Sequence, residues 1–508
     1  MAIVTIVIYS ITLLFLVISS LIQARLAWHF YRRQKQVSNH AMAFSGFPLP
    51  SITVQLPLYN ERYVVERLLA AVTALDYPRH LLDIQVLDDS SDETTSLIDN
   101  QLALIRQRGI SIAHIRRAER TGFKAGALAQ GTRQAQGDFI AIFDADFLPA
   151  PDFLLRLIPY FTHPEIGLVQ ARWDHLNLTD SWLTRFQGFF LDAHLFVEQW
   201  GRHSANHLIN FNGTAGIWRK ACIEDAGGWH ADTLTEDLDL SYRAQLRGWK
   251  FQYAGEVGVP AELPLSMQAL KTQQFRWMKG IAECARKHLG STLQSSRLQI
   301  SNKAYALFHL LSSLPFCCLF ILGLSSVPLL WFLQQPVYQL WVERISGLTL
   351  LSVASVFLYW VGFMHRQPFS KTRLLSFLGH YLLFMVLSMG LSYHNTKAVV
   401  EGFAGRKSSF IRTPKFNRGT QQTSWHTNVY VSKQSRELPW AEILLCLYFL
   451  GGIGLAFHLH IFNLLPLHLL LVVGMGLVVC YPAWQAVPEK AKKNKQASLD
   501  TRELSPAE

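Results

Sequence analysis

Charge is scarce in this 508-residue chain, at 16% of residues, and none of it lies before Arg25. Cysteine is scarcer still. Cys222, Cys284, Cys317, Cys318, Cys446 and Cys480 show neither paired zinc spacing nor a disulfide framework, and four of them sit in apolar segments, which fits a reducing setting. No basic stripe with interleaved aromatics is present, so a net charge of +11 does not read as a nucleic-acid surface. Internal repeats and low-complexity runs are also missing, which excludes a solenoid. The apolar segments lack the chain of ionisable residues that transport would need.

What is present is apolar residue, half of the chain, concentrated at 1–30 and after Asn302. That distribution predicts a soluble domain inserted between membrane segments. The first run is long enough to span a bilayer. Its basic flank, Arg32, Arg33 and Lys35, follows rather than precedes it, which favours an uncleaved anchor with its start outside and the next domain cytoplasmic. Later apolar runs lie at Ala304 to Leu333, Ile345 to Met364, Leu374 to Ser392, Ala441 to Phe457 and Ile461 to Val479. Six spans would put Lys397, Arg406, Lys407, Arg412, Lys415, Arg418 and the lysine-rich tail outside, against the charge rule. Five spans satisfy it. The run with Gly379, His380 and several serines, Leu374 to Ser392, is the one then expected at the membrane surface.

The resulting division is an anchor at 1–30, a linker at 31–50, a cytosolic domain at 51–290 and transmembrane and interfacial helices at 291–400. A cytosolic loop at 401–439, a transmembrane pair at 440–484 and a basic disordered tail at 485–508 complete it. Within 51–290, β-rich runs alternate with helical ones as βαβαβαβ, which predicts a mainly parallel sheet with functional residues at the carboxyl ends of its strands. Asn60 and Glu61, Asp88 and Asp89, and Asp144 and Asp146 fall at those ends.

Several short motifs there carry chemistry. In FDADF, Asp144 and Asp146 stand two apart as a buried strand ends, a hard-oxygen pair suited to a divalent cation with positions left open to phosphate; alone, such a pair equally caps a loop. Lys124 in RTGFKAGAL sits at a helix start, where an ammonium and backbone N–H groups favour a diphosphate, although a lone lysine there could equally be solvated. In TEDLD, Asp237 beside Glu236 suits a general base, and Thr235 with the acids also makes a helix N-terminus; the two are compatible. Gln273, Arg276 and Trp277 in QQFRW join a phosphate-holding fork to an apolar face for a sugar, or make a surface helix if taken alone.

Together these residues resemble the processive inverting family 2 glycosyltransferases, the group that contains cellulose, chitin and hyaluronan synthases. That family has a D, DxD, TED, QxxRW series. Here it is matched in order by Asp88 or Asp89, Asp144 with Asp146, Thr235 to Asp237, and Gln273 with Arg276 and Trp277. The segments VQLPLYNE, DDSSDE, GFKAGAL, VQARW, FNGTAGIWR and the end of RTPKF resemble the cellulose synthase-like branch with the plant mannan and glucan synthases.

The resemblance implies a GT-A-like, Rossmann-type mixed α/β sheet that binds a nucleotide-sugar, UDP-glucose or GDP-mannose, set within a multi-span α-helical membrane domain. It implies Mg²⁺ or Mn²⁺ on the DxD aspartates and a growing β-linked polysaccharide as acceptor, with processive synthesis coupled to export. Accessory subunits are left open, and a bacterial inner membrane is the expected location. Asn60, Glu61 and Asn212 join the substrate-binding set, and FIRTPK resembles the gating-loop motif FxVTxK, bringing in Thr413 and Lys415. Arginine stands there in place of valine and proline precedes the lysine, two departures that bear on whether the loop inserts. Trp331, Trp341, Tyr359, Trp360 and Tyr393 are candidates to line a sugar channel, or else face lipid. Two other functions compete: a non-processive transferase acting on a lipid-linked acceptor, and a transporter or scaffold with a degenerate transferase domain.

Overall fold

A computed structural model describes residues 1–33, 48–346, 351, 354–365, 370–417, 428–430 and 439–485. Most of the expected linker, Arg418 and the tail lie outside those residues.

The expected strands form β1 (Ile52–Leu58), β2 (Leu82–Asp88), β3 (Ile112–Arg116) and β4 (Phe139–Ile142). They are joined by helices Val65–Thr73, Thr94–Gln107 and Phe123–Gln134. Further strands β5 (Ile166–His175), β6 (Gly216–Arg219) and β7 (Lys250–Ala261) complete a seven-stranded sheet of order β3-β2-β1-β4-β6-β5-β7. The sheet is mixed because β6 runs antiparallel to both β4 and β5, while every other pair is parallel.

That single reversal positions the site. Six strands end at one edge, and β6 begins there, so Asn212 and Gly213 just ahead of it meet the carboxyl ends of the others. Register levels the parallel ends: Leu58 pairs with Asp88, and the Asp89 N–H donates to the Leu58 carbonyl at 3.0 Å. Two apolar cores cover the sheet. One is built on Val54, Leu56 and Ile84; the other, around Trp218 and Tyr253, continues into Phe30 of the first helix and into Leu358 and Tyr359. The soluble domain is therefore packed directly onto membrane-flanking helices.

Five described helices are long and apolar enough to cross a membrane: Ala2–Arg32, Leu314–Phe332, Lys371–Phe403, Trp440–His458 and Leu465–Gln485. With the domain between the first and second, the chain is an integral membrane protein. Among the described residues the number agrees with expectation but the membership does not. The run expected at the surface lies in the 33-residue helix Lys371–Phe403 and qualifies as a span, whereas the described residues of the run at Ile345 to Met364 fall mainly at the end of helix Pro336–Ser346 and in the ten-residue helix Ser355–Met364. At 1.5 Å per residue, ten residues reach about half of a ~30 Å hydrocarbon core.

Candidate active site

A cavity of about 180 Å³ opens at the carboxyl edge of the sheet. Glu61, Asp89, Lys124, Asp144, Asp146, Asn212, Glu236, Asp237, Gln273, Arg276, Trp277, Thr413 and Lys415 all line it. Asn60 and Asp88 do not. Asp88 is 1% exposed beneath the β2 turn, where burial would raise its carboxyl but hydrogen bonds from His114, Ser90 and Thr95 outweigh this and hold it down. Asn60, in the left-handed region at φ 57°, spends its side-chain oxygen on the Ser91 N–H at 2.9 Å. Both shape the loops behind the wall. Of the two aspartates, Asp89 faces the cavity, with its carboxylate gripped by the Arg117 fork at 2.9 and 2.5 Å.

Lys124, one residue into its helix, lies at the centre. Its Nζ donates to Asp144 Oδ1 at 2.6 Å and to the Gly213 carbonyl at 2.9 Å, with Glu236 Oε1 3.9 Å away. Burial alone would depress its pKa, but Asp144 and Glu236 more than offset that and hold the ammonium charged. Gly213 has φ +79°, and a Cβ there would come within 3.1 Å of Asp237 Oδ2 and 3.5 Å of Lys124 Nζ. Glycine is thus required both for the turn and for the approach of the carboxylate and the ammonium to one point.

Asp237 is in the first turn of helix Glu236–Leu246, and its Oδ1 accepts from the Leu238 N–H at 2.8 Å. Burial, and after it the Glu236 carboxylate, push its pKa up to about 7, while Lys124 pulls it down. A carboxyl so placed can accept a proton near neutral pH. On the 28-residue helix Met267–Gln294, Gln273, Arg276 and Trp277 are spaced three and four apart and so present one face to the cavity. Trp277 also meets Trp173 at the end of β5, ring centres 6.4 Å apart.

The loop after Phe403 inserts. Lys415 Nζ lies 2.7 Å from Asp146 Oδ2, the Phe416 N–H donates to Glu262 at 2.8 Å, and Phe410 stacks on Phe123 with Arg276 over its ring. Asp144 and Asp146 therefore each carry a lysine, and this hard-oxygen pair is of the kind that takes Mg²⁺ or Mn²⁺. The Asn212 side-chain N–H and the Thr413 hydroxyl are buried without a hydrogen-bond partner in the structure. Sequence reasoning passed over Arg120, which covers the Tyr59 ring at 3.3 Å, and Asp174, His175 and Arg412, all in the cavity wall. Arg412 stood out in the sequence only as one of the loop's basic residues and as a departure from a motif.

Among known proteins, the family model described as "Glycosyltransferase like family 2" matches residues 50–280. Glucomannan 4-beta-mannosyltransferase 2 of Arabidopsis thaliana is 35% identical over 399 residues, covering 77% of this chain and 71% of the relative. The chain belongs to glycosyltransferase family 2, in its cellulose synthase-like branch. Glucomannan 4-beta-mannosyltransferase 1 of Oryza sativa subsp. japonica is also 35% identical, over 397 residues, 75% of this chain and 71% of the relative. Glucomannan 4-beta-mannosyltransferase 7 of A. thaliana reaches 39% over 284 residues, which is 55% of this chain and 51% of that one. Among solved structures, a Pyrobaculum calidifontis mannosyltransferase in complex with GDP-Man and Mn²⁺ is 17% identical with a TM-score of 0.49, covering 71% of this chain and all of that one. The family makes this chain a hexosyltransferase and its domain GT-A-like. The plant origin of the curated relatives gives no support to a bacterial inner membrane.

Proposed function

We propose that this family 2 enzyme transfers mannose from GDP-mannose to the growing end of a β-1,4-linked mannan or glucomannan, from the cytoplasmic side of a membrane. The observation that carries it is the convergence in one cavity of Asp237, the Asp144 and Asp146 pair and the cations Lys124 and Arg276. The choice of mannose over glucose rests on the relatives' names. Arg276 and Lys124 hold the donor diphosphate, and their fixed charges are complementary to the charge that grows on it as the sugar leaves. Asp144 and Asp146 would hold Mg²⁺ or Mn²⁺, which when bound supplies further charge neutralisation at the diphosphate.

Asp237 takes the proton from the acceptor hydroxyl, and Trp277 with Trp173 gives the acceptor sugar an apolar face. Attack opposite the diphosphate inverts the α-linked donor to a β-linkage in one displacement, and no enzyme nucleophile is required. The orphaned N–H of Asn212 and hydroxyl of Thr413 are free to bond substrate oxygens.

Processive synthesis with export is supported by a second cavity of about 320 Å³, lined in part by Met278 and Ile281 of the helix that carries Trp277. Tyr305, Phe308, Tyr359 and Tyr381 supply ring faces there, and Ser19 and Ser312 supply hydroxyls, a mixture suited to a sugar chain. Of the aromatics expected in such a wall only Tyr359 lines it; Trp331 and Trp341 are each 59% exposed on the outer surface, as lipid-facing rings would be. The test is to give membranes carrying the protein radiolabelled GDP-mannose or UDP-glucose separately and to digest the product with endo-β-1,4-mannanase. Polymer that forms from GDP-mannose and is cut by the enzyme supports the assignment. Label recovered only in a lipid-linked monosaccharide would replace it with the non-processive alternative.

A further inference from the structure

Arg412 has no part in the chemistry above. We propose that its ion pair with Glu61 is the clasp that seats the 406–417 loop over the donor, which makes Arg412 a positioning residue for donor binding. The inference rests on the donor-site assignment just made.

Glu61, three residues beyond the last pairing of β1, is 7% exposed, and both of its oxygens are engaged: Arg412 Nε donates to Oε1 at 2.7 Å and Nη2 to Oε2 at 2.5 Å. This two-pronged fit is one that only a guanidinium makes. Burial raises the Glu61 pKa, and Arg412 is the strongest influence opposing the rise, so each member of the pair needs the other. The guanidinium also covers the Tyr430 ring at 4.4 Å, and the Tyr430 hydroxyl donates to Asp92, so the clasp is held from a second side.

Among the described residues the loop's side chains make one other ion pair, and it cannot serve as the anchor. Lys415 reaches Asp146, beside the place assigned to the diphosphate, and phosphate oxygens compete for that ammonium whenever donor is bound. Arg412 lies one residue before Thr413, which is 5% exposed with its hydroxyl unpartnered, and three before Lys415. Fixing Arg412 therefore fixes where both groups meet the donor. A valine in its place would offer apolar contact alone and would leave the Glu61 carboxyl buried without its partner.

The experiment uses the full chain in detergent or native membranes, with R412V, R412K, E61Q and the exchange R412E/E61R. Donor KM and kcat are measured separately, and trypsin cleavage after the exposed Arg406 and Lys407 is followed without donor. The expected result is a donor KM raised at least about tenfold in R412V, with most of the effect in KM, together with faster cleavage. R412K recovers part of the loss, and the exchange recovers more than either E61Q or R412V. Wild-type KM and cleavage rate in R412V would overturn the clasp, as would an exchange no better than the single variants. Because cleavage needs no donor, faster cleavage in a protein that turns over no nucleotide-sugar would uphold the clasp and sink the donor assignment instead.

Discussion

Replacing Glu236 by glutamine should move the acid limb of the pH–rate profile down by about one pH unit. Asp237 stands at about 7 because burial and the adjacent Glu236 carboxylate disfavour its charge more than Lys124 restores it. At an effective dielectric of about 20 two like charges 4 Å apart repel by about 4 kcal/mol, and Lys124, 3.9 Å from Glu236, absorbs much of that. About one pH unit is left to be relieved by the substitution. The sign is fixed by the role: a base works deprotonated, so turnover rises with pH through its pKa. With the midpoint moved from about 7 to about 6, the ionised fraction at pH 6 grows from about 9% to about 50%, and turnover relative to its own plateau grows about fivefold. The assay is kcat at saturating donor and acceptor from pH 5 to 9, each variant normalised to its own plateau so that any loss from Glu236 itself cancels. A midpoint that stays put or moves up would refute both the coupling and the assignment of the limb to Asp237.

Other substitutions read other parts of the site. Asp237→Asn should bind nucleotide nearly as wild type yet lose transfer, and retained turnover in purified protein would remove Asp237 from the role of base. The same variant should gain stability over the wild type as pH rises from about 4 to about 7, because over that range the native carboxyl keeps a proton that the unfolded chain gives up; thermal melts at pH 4 and pH 8 should show the gap open. Gly213→Ala places a methyl 3.1 Å from Asp237 Oδ2 on a backbone at φ +79° and should cost kcat at least about tenfold, with roughly 1–2 kcal/mol lost on unfolding; near-normal kcat would mean that the carboxylate and Lys124 need not share that point. Asp146→Ala should abolish the Mn²⁺ dependence of nucleotide binding, checked by titrating GDP with and without the ion. Reporters placed after Gly405 and at Glu508 should lie on the same side as the soluble domain and one at Gln334 on the other, which any even number of spans would contradict.

The legible parts of the fold are those set by neighbours in sequence. Strands β1, β2 and β4 announce themselves by apolar runs that end in carboxylates and β3 by one that ends in Arg116 and Arg117, while Asp144 and Asp146 follow β4 and Lys124 opens the helix after β3. The reversed strand β6 gives no such signal. It is four residues long, its first three are buried, and it lies between two other strands, so it shows no alternation, and its direction is set by the Gly213 turn ahead of it. The helix Lys371–Phe403 is a different case: its apolar run is plain in the sequence, and the charge rule together with its polar residues is what sets it at the surface there. Its glycine, histidine and serines lower its hydropathy, yet within the helix the Ser392 hydroxyl donates to the Met389 carbonyl at 2.6 Å and His380 Nδ1 lies 2.7 Å from the Ser376 carbonyl. Polar groups satisfied by their own helix cost little in lipid, so they are no argument against a span.

The inserted loop marks where local resemblance stops being a guide. Arginine in place of valine weakens the match to the gating motif, and a proline removes a backbone donor next to the lysine. Both weigh against insertion only if the rest of the pocket is unchanged. Here Arg412 finds Glu61, 351 positions away in sequence, and the loop runs without helix or strand from Arg406 to Asn417, so Pro414 interrupts no hydrogen-bond ladder. The residue before a proline is restricted to extended backbone, which suits a segment that must lie flat across a cavity. A substitution that reads as damage to a motif is thus, in this fold, half of a contact whose other half belongs to the strand β1 turn. Testing Glu61 together with Arg412, rather than either alone, is what separates a repaired gate from a lost one.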